Sequence, residues 1–484
     1  MLTHNKKSRF PLFKFRNFLA LLCLATLAFS CKKATGPDSG PTSSLTSFSL
    51  LKSANTQIPV DATATINGSN VSIFLPPGTN MSGLIATFTV AGNASVTVNG
   101  VTQQSGVTKN DFSTPITYTV ATPNGGTQSY TVTLITNITA IDQNVTAFMK
   151  QYNIPGLSIA ITKDDKLVYV KAYGQSDVEN NQAATTQNLY RVSALSKQIT
   201  SAAIMKLMDQ GKIHMDDKVF GPGAILGTTY GTQPYGQWIT DITVGELLHH
   251  TAGGWAYNNN DPLGTNPTMS IQQLISWALD NQPLVNQPGT HFNYSHFGYS
   301  ILGRVIEKVT GMPYTQAVQS IVLQPSGISD MQIAGNTLAQ RVTNEVKYYA
   351  PGNPGEPYSF NINREDATNG WLASATDLAR FLVHVDGLSS QTILSQNAIM
   401  VMTTGSIANA KYGCGWELNG PNIFHHGNLP GTGTTQAITT QSGNFNYVIL
   451  TNSSSPDPNF SNNMDNIFWS SLNSISAWPS YDLF

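Results

Sequence analysis

Residues 190–211 constrain the fold more than any other stretch. Tyr190-Arg191-Val192 reads as a short strand, and from Ala194 the apolar residues Ile199, Ala203, Ile204, Leu207 and Met208 recur at helical spacing until Gly211 stops them. A strand therefore runs straight into a helix, and Lys197 sits in that helix's first turn. Residues three apart share a helix face, so Lys197 stands beside Ala194. A serine at 194 would place a hydroxyl next to an amine whose lowered pKa lets it accept the hydroxyl proton. Alanine offers only a methyl group, which cannot attack a carbonyl.

Other blocks keep company with this one. Upstream lie Ile154-Pro155-Gly156-Leu157-Ser158-Ile159-Ala160-Ile161, a turn, and Leu167-Val168-Tyr169-Val170 ending in Gly174; downstream of Lys197 runs Gln198 to Leu207. Together they resemble the penicillin-recognising serine hydrolase family, which includes class C β-lactamases, D-alanyl-D-alanine peptidases and related esterases. That family's nucleophile block reads aromatic, Arg, aliphatic, small, Ser, x, Ser or Thr, Lys. Tyr190 to Lys197 matches it without insertion, so a slip of register does not restore the serine.

The resemblance implies an α/β domain over residues 137–484, with an antiparallel sheet flanked by helices plus a helical subdomain, opened by a polar helix over about 140–152. It makes Ala194 the nucleophile position and Lys197 the amine beside it. Phe292-Asn293-Tyr294-Ser295-His296 matches the second catalytic block, Tyr-x-Asn, which gives Tyr294 the role of relaying protons to the leaving group. A phenol needs a neighbouring ammonium to lower its pKa, and Lys197 is the expected neighbour. His296 replaces the usual asparagine and, when neutral, offers one donor and one acceptor.

The third block, Phe424-His425-His426-Gly427-Asn428-Leu429-Pro430-Gly431, is similar to the family's His-x-Gly variant of Lys-Thr-Gly. Gly427 lets a ligand backbone approach the strand, and the backbone N–H groups of Asn428 and Ala194 would form the oxyanion hole. His425 in place of lysine speaks against a carboxylate-binding β-lactamase. Val244 to Gly254 resembles a block that supports the site without doing chemistry; His249 and His250 lack a carboxylate or thiol at ligand spacing, so no metal or other cofactor is implied. Asn369 to Leu378 resembles scaffold, with Ser374 or Thr376 as the helix cap.

The remaining sequence gives an address. Lys6, Lys7, Arg9, Lys14 and Arg16 precede an apolar run, Phe18 to Phe29, that is too short for a membrane span and has the layout of a secretory signal. Ala28-Phe29-Ser30-Cys31 resembles a bacterial lipoprotein cleavage box, making 1–30 a signal peptide, Cys31 the lipidated residue and 31–44 a linker from the membrane. Cleavage would leave twenty basic and twenty-seven acidic residues, moving the net charge from −2 to about −7, which argues against a nucleic-acid partner. Only Cys414 would then remain free, so no internal disulfide is available.

Residues 45–136 are rich in Thr, Val and Ser with period-two alternation, broken by Gly78, Gly92, Gly100 and Asn124-Gly125-Gly126. This pattern predicts a small antiparallel, immunoglobulin-like β-sandwich. It carries no cluster of acids, histidines or convergent aromatics, so a spacer role is expected of it ahead of a glycan- or protein-binding module.

Three functional readings follow for this envelope protein. An acyl-transfer hydrolase acting on peptide, amide or ester would be impaired by Ala194, unless Ala194 is itself a deliberate or erroneous change of an active sequence. A non-catalytic binder or scaffold would keep the cleft for a cell-wall peptide or a protein partner. A hydrolase using Ser193 as substitute nucleophile requires a different helix start, because Ser193 precedes Lys197 by four; Ser196 points elsewhere.

Overall fold

The computed structural model describes residues 44–351 and 355–484. The expected signal peptide, Cys31 and all of the linker but Ser44 lie outside the described residues.

Period-two alternation in residues 45–135 builds two sheets that share one core. One runs in the order Ala62–Thr63, Leu45–Leu50, Leu84–Val90, Lys109–Asn110, and the other Thr65–Asn67, Asn70–Phe74, Thr127–Ile135, Ile116–Ala121, Ser95–Val98, Val101–Thr102. Alternate side chains meet between them, with Phe48 edge-on to Tyr118 at 5.1 Å and Val71, Ile73 and Val132 fully buried. One pairing departs from the antiparallel expectation: Thr127–Ile135 runs parallel to Asn70–Phe74. Alternation has the same period in both arrangements, so the sequence pattern could not separate them.

The larger domain starts with α1 (Thr139–Tyr152) and is built on a seven-stranded antiparallel sheet. Its central strands are β1 (Gly156–Lys163), β2 (Lys166–Asp177), β3 (Asn422–Leu429), β4 (Thr432–Thr439) and β5 (Phe445–Thr451), in the spatial order β2, β1, β5, β4, β3. Short strands Gln182–Ala183 and Glu417–Asn419 close the two edges. Ile141, Val145 and Phe148 of α1 pack with Phe460, Met464 and Phe468 of the C-terminal helix Phe460–Leu472 over one face of the sheet. The other face is covered by the helical part of the domain, including Ala375–Val385, whose N-terminus is capped by Ser374 in a reciprocal pair with Asp377. Ser374 rather than Thr376 is thus the cap.

At the centre lies α2 (Ser196–Asp209), in which eleven of fourteen residues are buried, Lys197 among them. Burial all round, not a single apolar stripe, is what a helix inside a large core requires. The helix begins two residues later than its spacing suggests. Ser193–Leu195 form a tighter 3-10 turn, a common way for an α-helix to open, and Ala194 sits at its middle.

Candidate active site

The turn that carries Ala194 is pinned from two elements. Val192 N–H donates to Trp371 O at 2.9 Å, Trp371 N–H donates to Ser196 Oγ at 3.2 Å, and Thr434 Oγ1 of β4 donates to Val192 O at 3.1 Å. Ser196 is therefore committed to the scaffold. Ser193 adopts φ +53°, a left-handed conformation that costs a residue with a β-carbon on the order of 1–3 kcal/mol. This backbone directs its Cβ toward β3: a methyl added to Gly427 would lie 2.8 Å from Ser193 Cβ and 3.1 Å from Ala194 N, and would also collide with Thr434 Oγ1. Glycine at 427 thus keeps the backbone N–H of Ala194 open. Ser193 and the Ala194 methyl, 6% exposed, both border a cleft of about 950 Å³ together with Tyr294, His296, His425 and Asn428, and Ser193 is absent from the hydrogen-bond partners of Lys197.

Lys197 Nζ is fully buried and donates to two acceptors, His296 Nδ1 at 2.8 Å and Thr368 O at 3.1 Å. The tautomer of His296 follows from its neighbours. Asn369 Nδ2 bridges His296 Nδ1 at 3.1 Å and Glu365 Oε2 at 2.5 Å, so Nδ1 is an acceptor and the neutral ring carries its hydrogen on Nε2. Burial lowers the Lys197 pKa to about 7, against the opposing charges of Glu365 and Asp261. Burial likewise raises Glu365 to about 7. Asp261 accepts the N–H groups of His296 and Phe297 at 2.8 and 3.2 Å, fixing the start of the helix His296–Thr310.

Tyr294 presents its ring face to Lys197, 5.1 Å from Nζ to centroid. The expectation that the ammonium depresses its phenol does not hold. Burial first, and then electrostatic interaction with Glu417, Tyr257 and Asp261, raise its pKa well above 10. An amine whose own pKa has fallen to about 7 is only partly charged at neutral pH and stabilises a phenolate weakly, so Tyr294 keeps its proton.

Beyond Tyr294 runs a chain of hydrogen bonds whose directions can be read off. Ser295 N–H donates to His250 Nδ1 at 3.1 Å, which puts the His250 hydrogen on Nε2, and that hydrogen is donated to Tyr412 Oη at 3.1 Å. At the other end, His425 Nδ1 lies 2.6 Å from His426 O and must be the donor, leaving the Nε2 lone pair to accept Tyr412 O–H at 3.2 Å. Tyr294 Oη approaches the same lone pair only at 3.5 Å. Burial holds His425 neutral, its pKa down to about 3, and lowers His250 as well. Both nitrogens of His250 are thereby engaged within the protein. The neighbouring His426 side chain turns the other way and pairs with Asp465 at 2.7 Å.

The sequence-derived set thus converges on one cleft, bordered by Ser193, Ala194, Tyr294, His296 and His425, with Lys197 buried behind His296, Gly427 behind the Ala194 N–H and Asn428 at the rim, its Nδ2 donating to Ser455 O at 3.4 Å. Residues that the sequence reading passed over join them. Glu365, Asp261 and Thr368 surround the amine, Asn369 proves to be part of the site rather than plain scaffold, and Tyr412 and His250 orient His425. Tyr257, 59% exposed, closes the mouth against His296 at 4.5 Å between ring centroids. The only sequence hint for Tyr412 was an aromatic residue heading a Gly-Cys-Gly stretch.

Residues 46–134 match the family described as SGBP, N-terminal. Over 300 residues the chain is 25% identical to a "Putative D-alanyl-D-alanine carboxypeptidase" of Escherichia coli O157:H7, covering 55% of this chain and 68% of that protein. "Protein flp" of Staphylococcus aureus (strain MRSA252) is 24% identical over 318 residues, 64% of this chain and 62% of that one. A D-alanine carboxypeptidase AmpC from Burkholderia cenocepacia superposes with a TM-score of 0.56 at 21% identity, over 70% of this chain and 98% of its own. The family described as Beta-lactamase matches residues 141–468, which include the Ala194 turn, the buried amine and the β3 strand, and the chain belongs to that family.

Proposed function

We propose that this chain is a lipid-anchored cell-envelope protein, tethered to a bacterial membrane through Cys31, whose Beta-lactamase-family cleft takes a small peptide, amide or ester ligand but does not turn over through an acyl-enzyme. The single observation behind this reading is the methyl group of Ala194 in the place of the attacking oxygen, beside an otherwise complete set of amine, phenol and backbone donors. Loss of a nucleophile from a concerted unit costs about a millionfold, roughly 8 kcal/mol, leaving oxyanion stabilisation and binding. The relatives' names support peptide or amide ligands as the class to try first. A second reading, a non-catalytic binder or scaffold for cell-wall peptide or a protein partner, rests on the same substitution.

The test is labelling with a fluorescent penicillin, native protein beside Ala194→Ser. The native chain should remain unlabelled and the serine variant should label and hydrolyse p-nitrophenyl esters. A folded serine variant with no ester turnover would mean that the site has decayed beyond its nucleophile, favouring the binder.

A further inference from the structure

We infer that the cleft selects ligands carrying an ammonium group, received by the Glu417 carboxylate beside the rings of Tyr412, Tyr294 and Phe292. This rests on the reading above in taking the cleft to be a ligand site, and otherwise on side chains that the loss of the nucleophile does not touch.

Glu417 opens the edge strand Glu417–Asn419, where it stands opposite Phe424 of β3, and a single backbone bridge joins it to Tyr412. Its side chain lines the cleft. Among the described residues its carboxylate has neither a hydrogen-bond nor an ion-pair partner. A carboxylate withdrawn from water costs free energy unless it is paired. Burial accordingly raises its pKa, and the one group that opposes this is His426, which already holds Asp465 at 2.7 Å. Lys411, a lysine of the same wall, is exposed and makes no ion pair with Glu417.

Aromatic rings gather beside the carboxylate through Tyr412. Its ring centroid lies 5.3 Å from that of Phe292 and 6.1 Å from that of Tyr294, and Tyr257 follows at 6.4 Å from Tyr294. All four rings line the cleft, and Glu417 acts electrostatically on both Tyr294 and Tyr412. Aromatic rings attract cations, more strongly where water is excluded. Carboxylate and rings together are therefore complementary to an ammonium.

The same wall discriminates against an anion. His425 is neutral, its one hydrogen goes to His426 O at 2.6 Å, and its Nε2 accepts from Tyr412. His426 is held by Asp465. An anion would meet Glu417 with neither imidazole free to offset the repulsion, so attraction of one charge and rejection of the other act together.

An amino terminus and a side-chain amine both supply an ammonium, and the test separates them. Native full-length chain is titrated, by ligand-observed NMR, with alanine amide against N-acetylalanine amide, and with Nα-acetyl-lysine amide against its Nε-acetyl and Nε-succinyl forms. At least one ammonium probe should bind about tenfold or more tighter than its neutral partner, with the succinyl form weakest; the arm that shows the preference identifies the kind of amine. Glu417→Gln keeps the shape and removes the charge, so it should bring ammonium and neutral probes to within about twofold of each other and leave neutral affinities unchanged; a melt shows that it is folded. Equal binding of ammonium and neutral probes by the native chain, a comparison that needs no variant, overturns the inference and leaves the proposed function standing. A preference retained by folded Glu417→Gln does the same. If none of the amides binds, the inference and the reading of the cleft as a ligand site fall together.

Discussion

The amine of Lys197 and the Nδ1 of His296 lie 2.8 Å apart, and the amine is the donor. Asn369 also donates to that nitrogen and to Glu365, so a carboxyl group brought from residue 365 acts on the buried amine and opposes the burial that lowers its pKa. The relationship ties the chemistry of α2 to a loop 168 positions away, and several consequences can be measured.

Lys197 should make stability depend on pH with a definite sign. Its pKa falls from an ordinary 10.5 to about 7 on folding, so between those values the unfolded chain holds a proton that the folded chain lacks. Stability then rises with pH across this window, by up to about 1.4 kcal/mol per pH unit. Denaturant titrations at pH 7 to 9.5 should show the native protein gaining on Lys197→Met. A constant difference between the two would place an unshifted amine there.

Glu365→Gln removes a charge that raises the Lys197 pKa. In the Ala194→Ser background, the pH at which ester hydrolysis reaches half its maximum should move below that of the single variant. An unchanged or raised midpoint would mean that the two groups do not sense one another.

Gly427→Ala drives a methyl onto Ser193 Cβ, Thr434 Oγ1 and the Ala194 N–H. Overpacking of this kind costs about 1–3 kcal/mol, and disturbing one oxyanion donor costs about 10²-fold or more in kcat. Both should be visible by melting and ester hydrolysis in the Ala194→Ser background. Wild-type behaviour in both would remove Gly427 from the site.

Arg191, just before the Ala194 turn, donates to Pro357 O at 2.5 Å and Gly335 O at 2.9 Å and lies over the rings of Tyr348, Tyr358 and Phe360 at 4.7 to 5.5 Å. Lysine cannot reproduce that planar fork or its stacking. Arg191→Lys should destabilise the fold by about 2–4 kcal/mol, read from the urea midpoint. A loss below about 0.5 kcal/mol would show that the clamp is ornamental to stability.

Much of this site was legible because its parts sit in local patterns. The spacing from Ile199 to Met208 marked α2, Tyr294 and His425 stood in recognisable blocks, and Ser374 followed by Asp377 gave a cap. What escaped was set by distance in the chain. Glu365, Asp261 and Thr368 reach Lys197 only through the tertiary fold, and nothing near them in sequence points there. The sign of the Tyr294 shift was missed for a related reason: spacing placed a lysine nearby, but burial of both groups, invisible in spacing, discharges the lysine and raises the phenol. The parallel pairing of Asn70–Phe74 with Thr127–Ile135 was hidden because alternation is blind to strand direction.

The central claim is that position 194, where the attacking oxygen belongs, carries only a methyl group. Intact-mass spectrometry after exposure to an activated fluorophosphonate tests it most directly, on the native chain and on Ala194→Ser in parallel. The account predicts an unchanged native mass and a single adduct mapping to residue 194 in the variant. Stoichiometric modification of the native chain at Ser193 would contradict it.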